Sequence, residues 1–396
     1  MDRARRLAEL IVGVGANVQP GQVVLVDCEP GREAATRAIA AACYRAGARF
    51  VDVNYFDPWT KRIRLQHAAP ETLDWVPPWY GERVLRLGEE HAALIAVHGT
   101  VAPTLYDDLD PALVAKDRLP SLKEYIEVVD ECLVNWCVAP FPTAPWAELA
   151  YPELEPGHAL EALWQAVEHV CRLDEDDPAA AWEARLATLG AATARLNERQ
   201  FDALHFEGPG TDLTVGLLPT SRWESGRSVT VDGIVHLPNL PTEETFTAPD
   251  PERVDGVVRA TTPFFAADVV VRGLELRFER GRVAELRAET GADALRGELA
   301  TDDGASRLGE VALVDGGGRI GPLGRVFYDT LLDENAASHL AFGAAYRSSV
   351  LPEDLPRLNV SEVHTDFMIG GGDVAVTGIT AAGGRVPVLV GGGWRL

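Results

Sequence analysis

The spacing of apolar positions changes near residue 200. Before it, short β-branched runs alternate with alanine- and leucine-rich stretches. Leu7, Leu10, Ile11 and Val14 recur at helical spacing and predict a helix over residues 2–15. A Pro20-Gly21 turn leads to Val23-Val24-Leu25-Val26, a run suited to a buried strand, and the span from Glu33 to Ala46 reads as a helix closed by Gly47. Phe50–Tyr55 and Ala93–His98 read as the next strands. Strand, helix and strand joined by short connections form a βαβ unit, so this part predicts a parallel sheet flanked by helices. Gly99-Thr100-Val101-Ala102-Pro103 follows the third strand at its carboxyl end, where open α/β sheets often hold ligands. Residues 159–172 and 178–197 predict two helices, and the acids and proline of Asp174-Glu175-Asp176-Asp177-Pro178 between them are ordinary features of a helix start.

After Asn197, short alternating segments with turn signals take over. Residues 201–206, 212–217, 274–278 and 283–288 read as strands, the last two joined into a hairpin by Glu279-Arg280-Gly281-Arg282. Helices are expected only near 291–300 and 333–346. In the second of these, helical spacing would put Asn335, His339 and Tyr346 on one face. A length of 396 residues exceeds what one core usually organises. The expectation is an α/β N-terminal domain with a parallel sheet over residues 1–200 and an α+β C-terminal domain over 201–396. Glycine clusters at 316–318, 370–372 and 391–393 mark tight loops.

Charge narrows the partners. With 36 basic residues against 60 acidic ones, the net charge of −24 argues against nucleic acid, which needs a basic face. No apolar run reaches the ~18 residues of a membrane span. The first ten residues carry three arginines and lack the apolar core of a secretory signal, so a cytoplasmic location is expected. All five cysteines (Cys28, Cys43, Cys132, Cys137 and Cys171) fall in the first 171 residues without CxxC spacing, which fits reduced thiols.

Candidate chemistry lies in the second half. Four separated segments hold acids or histidines in company that suits a core poorly: Pro241-Thr242-Glu243-Glu244, Leu308-Gly309-Glu310, Asp333-Glu334-Asn335-Ala336-Ala337-Ser338-His339 and His364-Thr365-Asp366. In a strand, His364 and Asp366 point to one face. Each acid taken alone is more often solvated than ligating. Only His339 and His364, of nine histidines, lie in acid-rich polar clusters. Two imidazoles with several carboxylates suit a divalent transition metal, and the surplus of carboxylates over one tetrahedral shell suggests two ions sharing an acid. Paired ions of this kind recur in hydrolases.

These residues also carry a resemblance. Asn239-Leu-Pro-Thr-Glu-Glu-Thr-Phe-Thr247, Leu308-Gly-Glu310, Asp333-Glu-Asn-Ala-Ala-Ser-His339 and His364-Thr-Asp-Phe-Met-Ile-Gly370 closely resemble the motifs of the thermophilic metallo-aminopeptidases, the aminopeptidase T and aminopeptidase S group. Gly210-Thr-Asp-Leu-Thr214 and Trp146-Ala-Glu148 are similar to less specific family segments. The resemblance implies an α+β C-terminal catalytic domain that releases N-terminal amino acids from peptides or aminoacyl amides. It implies two divalent ions per chain (zinc, cobalt or manganese), ligands at Glu244, Glu310, His339, His364 and Asp366, and Glu334 as a further ligand or a close neighbour of one. Choosing Glu244 over Glu243 rests on family spacing. By the same resemblance Tyr346 lies near the substrate carbonyl and the protein is a homodimer whose active sites face an inner cavity. The mechanism expected on that footing has Glu310 bridge the metals, Tyr346 donate to the developing oxyanion, and either Glu244 or Glu334 shuttle the proton. The interval between His339 and His364 is shorter than the family leads one to expect, which places a trimmed loop at 347–358.

A second reading has a similar scaffold. In iron-dependent ring-cleaving dioxygenases of the dihydroxypyridine type, one iron is held by two histidines and a carboxylate, which His339, His364 and Asp366 would supply. Glu244, Glu310 and Glu334 would then have no task.

Overall fold

A computed structural model describes residues 2–117, 119–120, 122–266 and 269–396. The chain forms two compact units, Met1–Arg185 with Gly226–Thr242, and Leu186–Ser225 with Glu243–Leu396. The division does not fall at residue 200, for two reasons visible in the hydrogen bonds. Residues 226–242 return to the first unit, where Val231 N–H donates to Cys132 O at 2.9 Å and Leu237 N–H to Gly15 O at 2.8 Å. The long helix Pro178–Arg199 gives its second half to the other unit, where Asn197 Nδ2 donates to Trp223 O at 2.9 Å.

In the first unit, four parallel strands stand in the order β2-β1-β3-β4: β1 Val23–Cys28, β2 Phe50–Tyr55, β3 Ala93–His98 and β4 Asn135–Pro140. Val24, Leu25, Val26 and Ile95 are at most 1 % exposed, so the central strands are buried on both faces, as their continuous apolar runs require. The helix predicted over 2–15 starts at Arg3, capped by the Asp2 carboxylate, and runs as an α-helix to Leu10 and a wider π-turn to Gly15. Gly15 is needed there because a Cβ would lie 2.5 Å from Cys137 Sγ.

The second unit is built on two antiparallel sheets. The larger has eight strands in the order Arg282–Arg287, Glu275–Glu279, Pro249–Arg259, Thr211–Leu217, Ala203–Gly208, Ala375–Ile379, Arg385–Val390 and Gly393–Trp394. The smaller has four, β5 Glu244–Thr247, β6 Leu308–Val314, β7 His339–Gly343 and β8 His364–Met368, in the order β8-β7-β6-β5. Phe206, Val215 and Phe278 of the larger sheet share one core with Val311, Leu313, Leu340, Phe342 and Phe367 of the smaller. Phe342 stacks on Phe367 at 4.6 Å, which fixes one face of the small sheet as the core face.

One expected element is replaced. The helix predicted over 333–346 is confined to Thr330–Glu334, and His339–Gly343 is a central strand. Asp333 folds its carboxylate back onto the Phe327 and Asp329 amides at 2.8 and 3.2 Å, and Asn335 ends the helix. From there the period is two. His339 and Ala341 face away from the core, and Leu340 and Phe342 face into it, a pattern that a strand between two partners satisfies better than a helix. Asn335, His339 and Tyr346 therefore do not share a helix face.

Candidate metal centre

Alternation along the small sheet builds the site. The registers place Glu244 and Phe246 of β5, Glu310 and Ala312 of β6, His339 and Ala341 of β7, and His364 and Asp366 of β8 on the face opposite the core. Glu310 owes its place there to Gly309. Leu308 pairs with Phe342 of the core face, and two residues on Glu310 would point the same way in a regular strand. A bulge between them pairs Glu310 with Ala341 and turns it to the other face. Only glycine fits the bulge, since a Cβ at 309 would lie 2.2 Å from Gly343 O. Ala312 and Ala341 then leave space among the larger side chains.

Into that space converge two groups of donor atoms, each within 4.8 Å of one another: Glu244, Glu310 and His339, and Glu310, His364 and Asp366. His339 Nε2 lies 3.2 Å from Glu244 Oε2, 3.9 Å from Glu310 Oε1 and 3.9 Å from Asp366 Oδ1. His364 Nε2 lies 3.3 Å from Glu310 Oε2 and 3.7 Å from Asp366 Oδ1. Glu310 thus turns one oxygen to each imidazole. Both rings are fixed from behind. Nδ1 of His339 donates to Ala337 O at 3.2 Å and Nδ1 of His364 to Ala344 O at 2.9 Å, which leaves each Nε2 facing the carboxylates.

The electrostatics are those of a crowded acidic site. Burial first, then the charges of Asp366 and Glu244, hold the Glu310 carboxyl above its ordinary value against the pull of His364. Burial followed by Asp366, Glu244 and Glu310 raises Glu334 well above its own. Burial lowers the His364 imidazole, but Asp366 and Glu310 more than offset it and bring it to about 9. Against the effect of burial, Glu244, Asp366 and Glu310 likewise hold His339 well above its usual value. Glu244 Oε2 is buried without a hydrogen-bond partner, close to an imidazole nitrogen yet not in hydrogen-bonding geometry with it. Converging carboxylate oxygens and imidazole nitrogens, with Glu244 Oε2 orphaned among them, fit a divalent metal centre.

Glu334 ends the helix Thr330–Glu334, outside both donor groups, and accepts from Asn335 Nδ2 at 3.3 Å. Glu243 is fully buried beside Gly318, and Glu244 is the one of the pair that reaches the histidines. Tyr346 lies beyond the end of β7. Its ring is 5.4 Å from that of His364 and 5.6 Å from that of Phe246. It keeps 39 % of its surface exposed, yet lost hydration and then Glu310, Asp366, Glu334 and Glu244 hold its phenol well above the usual tyrosine range. The structure therefore gathers Glu244, Glu310, His339, His364 and Asp366 at one centre, with Glu334 and Tyr346 at its border.

Sequence reasoning missed Asn335 as a support. Buried at 1 % exposure, it accepts the Glu243 N–H at 2.7 Å and donates to Leu331 O at 2.9 Å, tying the start of β5 to the helix that carries Glu334. The residue stood in the Asp333–His339 motif, but no local pattern gave its partner 92 positions away.

An α/β unit joined to a unit whose sheet face carries imidazoles and shared carboxylates defines a metal-binding enzyme of the hydrolytic kind. The profile of the family described as "Thermophilic metalloprotease (M29)" matches residues 1–394, and the chain belongs to that family. Aminopeptidase T of Thermus thermophilus is 42 % identical over 98 % of this chain and 97 % of its own length. Aminopeptidase 2 of Geobacillus stearothermophilus is 36 % identical, with 98 % and 97 % covered. The solved structure of wild-type AmpT from Thermus thermophilus is 41 % identical and superimposes with a TM-score of 0.91, covering 100 % of this chain and 99 % of that one. The dioxygenase reading finds no support in these relatives, and a single iron held by His339, His364 and Asp366 would not account for Glu244 and Glu310 in the same centre.

Proposed function

We propose that the protein is a metal-dependent aminopeptidase that releases N-terminal residues from peptides or aminoacyl amides, with two divalent ions at the centre. The family match and its aminopeptidase relatives support the activity. One observation carries the paired site: Glu310 presents Oε1 towards His339 and Oε2 towards His364. Glu244, Glu310 and His339 would hold one ion, and Glu310, His364 and Asp366 the other. Zinc, cobalt and manganese all suit this donor set. When bound, such ions would lower the pKa of a coordinated water and polarise the substrate carbonyl.

The protein's own groups do the rest. Tyr346, protonated at neutral pH, donates its phenolic hydrogen to the carbonyl oxygen as charge develops there. Glu334, outside both donor groups, takes the proton of the attacking water and passes it to the leaving nitrogen. The free α-amine at the end of the substrate would bind one ion or an acidic neighbour, which limits cleavage to the N-terminus. Glu244 stays with the donors.

The five cysteines stand as thiols and not as disulfides, which supports a reducing, cytoplasmic setting. Separately, no helix among the described residues is long and apolar enough to cross a membrane. Trp59, Ile63, Trp75 and Trp79 of the first unit are 43 to 63 % exposed, an apolar content that supports a homodimer. Metal analysis together with leucine p-nitroanilide turnover tests the reading: about two ions per chain and hydrolysis are expected. One iron per chain with oxygen uptake would overturn it.

A further inference from the structure

Beyond the small sheet lies an acid that the proposed chemistry does not use. Glu224 pairs with Phe246 across the outer edge of β5: Glu224 N–H donates to Phe246 O, and Phe246 N–H to Glu224 O, each at 2.9 Å. Residues paired in this way point to one face, so the Glu224 side chain lies on the face that carries the metal centre, one strand beyond it. Its carboxylate accepts from Ser349 Oγ at 3.2 Å and from the Ser348 hydroxyl. Ser349 is 1 % exposed, and its carbonyl accepts the Arg222 N–H at 2.8 Å. Ser348 and Ser349 belong to the single 3-10 turn Arg347–Ser349, whose capping residue is Tyr346.

A turn of three residues has little stability of its own. Phe246 and His364, on the two edge strands of the sheet, both lie within 6 Å of the Tyr346 ring, so Tyr346 roofs the centre from a short segment that must be held from outside. The main chain of Glu224 is fixed by β5 and its carboxylate grips the turn. We infer that Glu224 is a positioning residue that holds Tyr346 over the metal centre. The inference rests on the role given to Tyr346 above. Part of a catalytic hydrogen bond's worth is lost when its donor is held loosely, even if the donor remains.

The test uses the full-length, metal-loaded enzyme with leucine p-nitroanilide. Glu224→Ala is expected to lower kcat by about tenfold or more with KM changed by less than about twofold and metal content unchanged. Glu224→Gln keeps an acceptor for both serines and is expected to stay within about threefold of wild type, a rescue that a need for charge alone would not give. Glu224→Ala should also speed tryptic cleavage after Arg347, which stands exposed on the same turn. Adding Glu224→Ala to Tyr346→Phe should cost nothing further, because Glu224 acts only through the phenolic hydroxyl that Tyr346→Phe already removes. Should Glu224→Ala fail to fold, Ser349→Ala removes one link of the same grip and is expected to lower kcat in the same direction. A Glu224→Ala enzyme with wild-type kcat, or a double variant that loses the full product of the two single effects, overturns the inference. Wild-type kcat in Tyr346→Phe alone sinks the role of Tyr346 itself and is read separately.

Discussion

In the first unit, the Asp27 carboxylate near the carboxyl end of β1 is closed off: Asn54 Nδ2 donates to one oxygen at 2.7 Å and Tyr125 Oη to the other at 2.8 Å. Arg83 in turn donates to Asn54 Oδ1 at 3.2 Å and pairs with Asp52. Every acid there meets donors. In the second unit the carboxylates of Glu244, Glu310 and Asp366 face one another and two imidazole nitrogens whose opposite edges are already committed. Both clusters are polar, partly or wholly buried and mounted on a four-stranded sheet. The first has spent its hydrogen-bonding capacity within itself. The second points its capacity at a common space, which is costly unless a cation enters. Closure of the network, more than burial or acid content, separates a structural cluster from a reactive one.

That contrast breaks first at Glu310. Glu310→Gln is expected to lower kcat by roughly a thousandfold or more, the scale seen when a group stabilising developing charge is lost from a water-excluded site. Circular dichroism should show the fold unchanged. If hydrolysis survives, the shared role of Glu310 is gone. Tyr346→Phe should cost less, about a hundredfold in kcat, with metal content equal to wild type by elemental analysis. Asn335→Ala comes third. It removes the acceptor of the Glu243 N–H, next to Glu244, and the donor to Glu334, and supports just outside a metal site typically change affinity by about 10- to 100-fold, so weaker metal binding should appear in titration of the stripped protein.

The motifs that meet at the centre were legible because each is short and chemically unusual: two imidazoles in acid-rich surroundings, and an H-x-D whose strand geometry needs only a period of two. The first sheet was legible because βαβ order and continuous apolar runs are local signals. What hid the remainder was distance along the chain. His339–Gly343 follows an Ala336-Ala337 pair that favours helix, and only pairing with β6 and β8, both remote in the chain, makes it a strand. The bulge at Gly309 that turns Glu310 away from the core depends on the Gly343 and Ala344 carbonyls packed against it. Gly226–Thr242 returns to the first unit through hydrogen bonds to residues far earlier in the chain, Cys132 and Gly15, against the simple expectation of one cut.

The smallest effect belongs to the closed network, and it is one of stability alone. Burial, opposed by the bonds from Asn54 and Tyr125, holds the Asp27 carboxyl above its ordinary value in the folded protein. A carboxyl with a raised folded pKa binds its proton more tightly in the native state, so its contribution is fully present below the unfolded value near ~3.9 and is lost as pH rises through the folded one. Asp27→Asn removes that titration while keeping an amide that can accept from Tyr125 and, after a flip of Asn54, pair with it. Over this pH window the wild type should lose stability relative to Asp27→Asn, read as the difference between their urea unfolding midpoints at successive pH values. Peptidase kcat and KM should match wild type throughout, because Asn54 and Tyr125, the partners of Asp27, lie in the first unit and take no part in the centre. A pH-independent difference in midpoints would mean that the Asp27 carboxyl titrates alike in the folded and unfolded chains, and the picture of a network closed around a buried acid would fail.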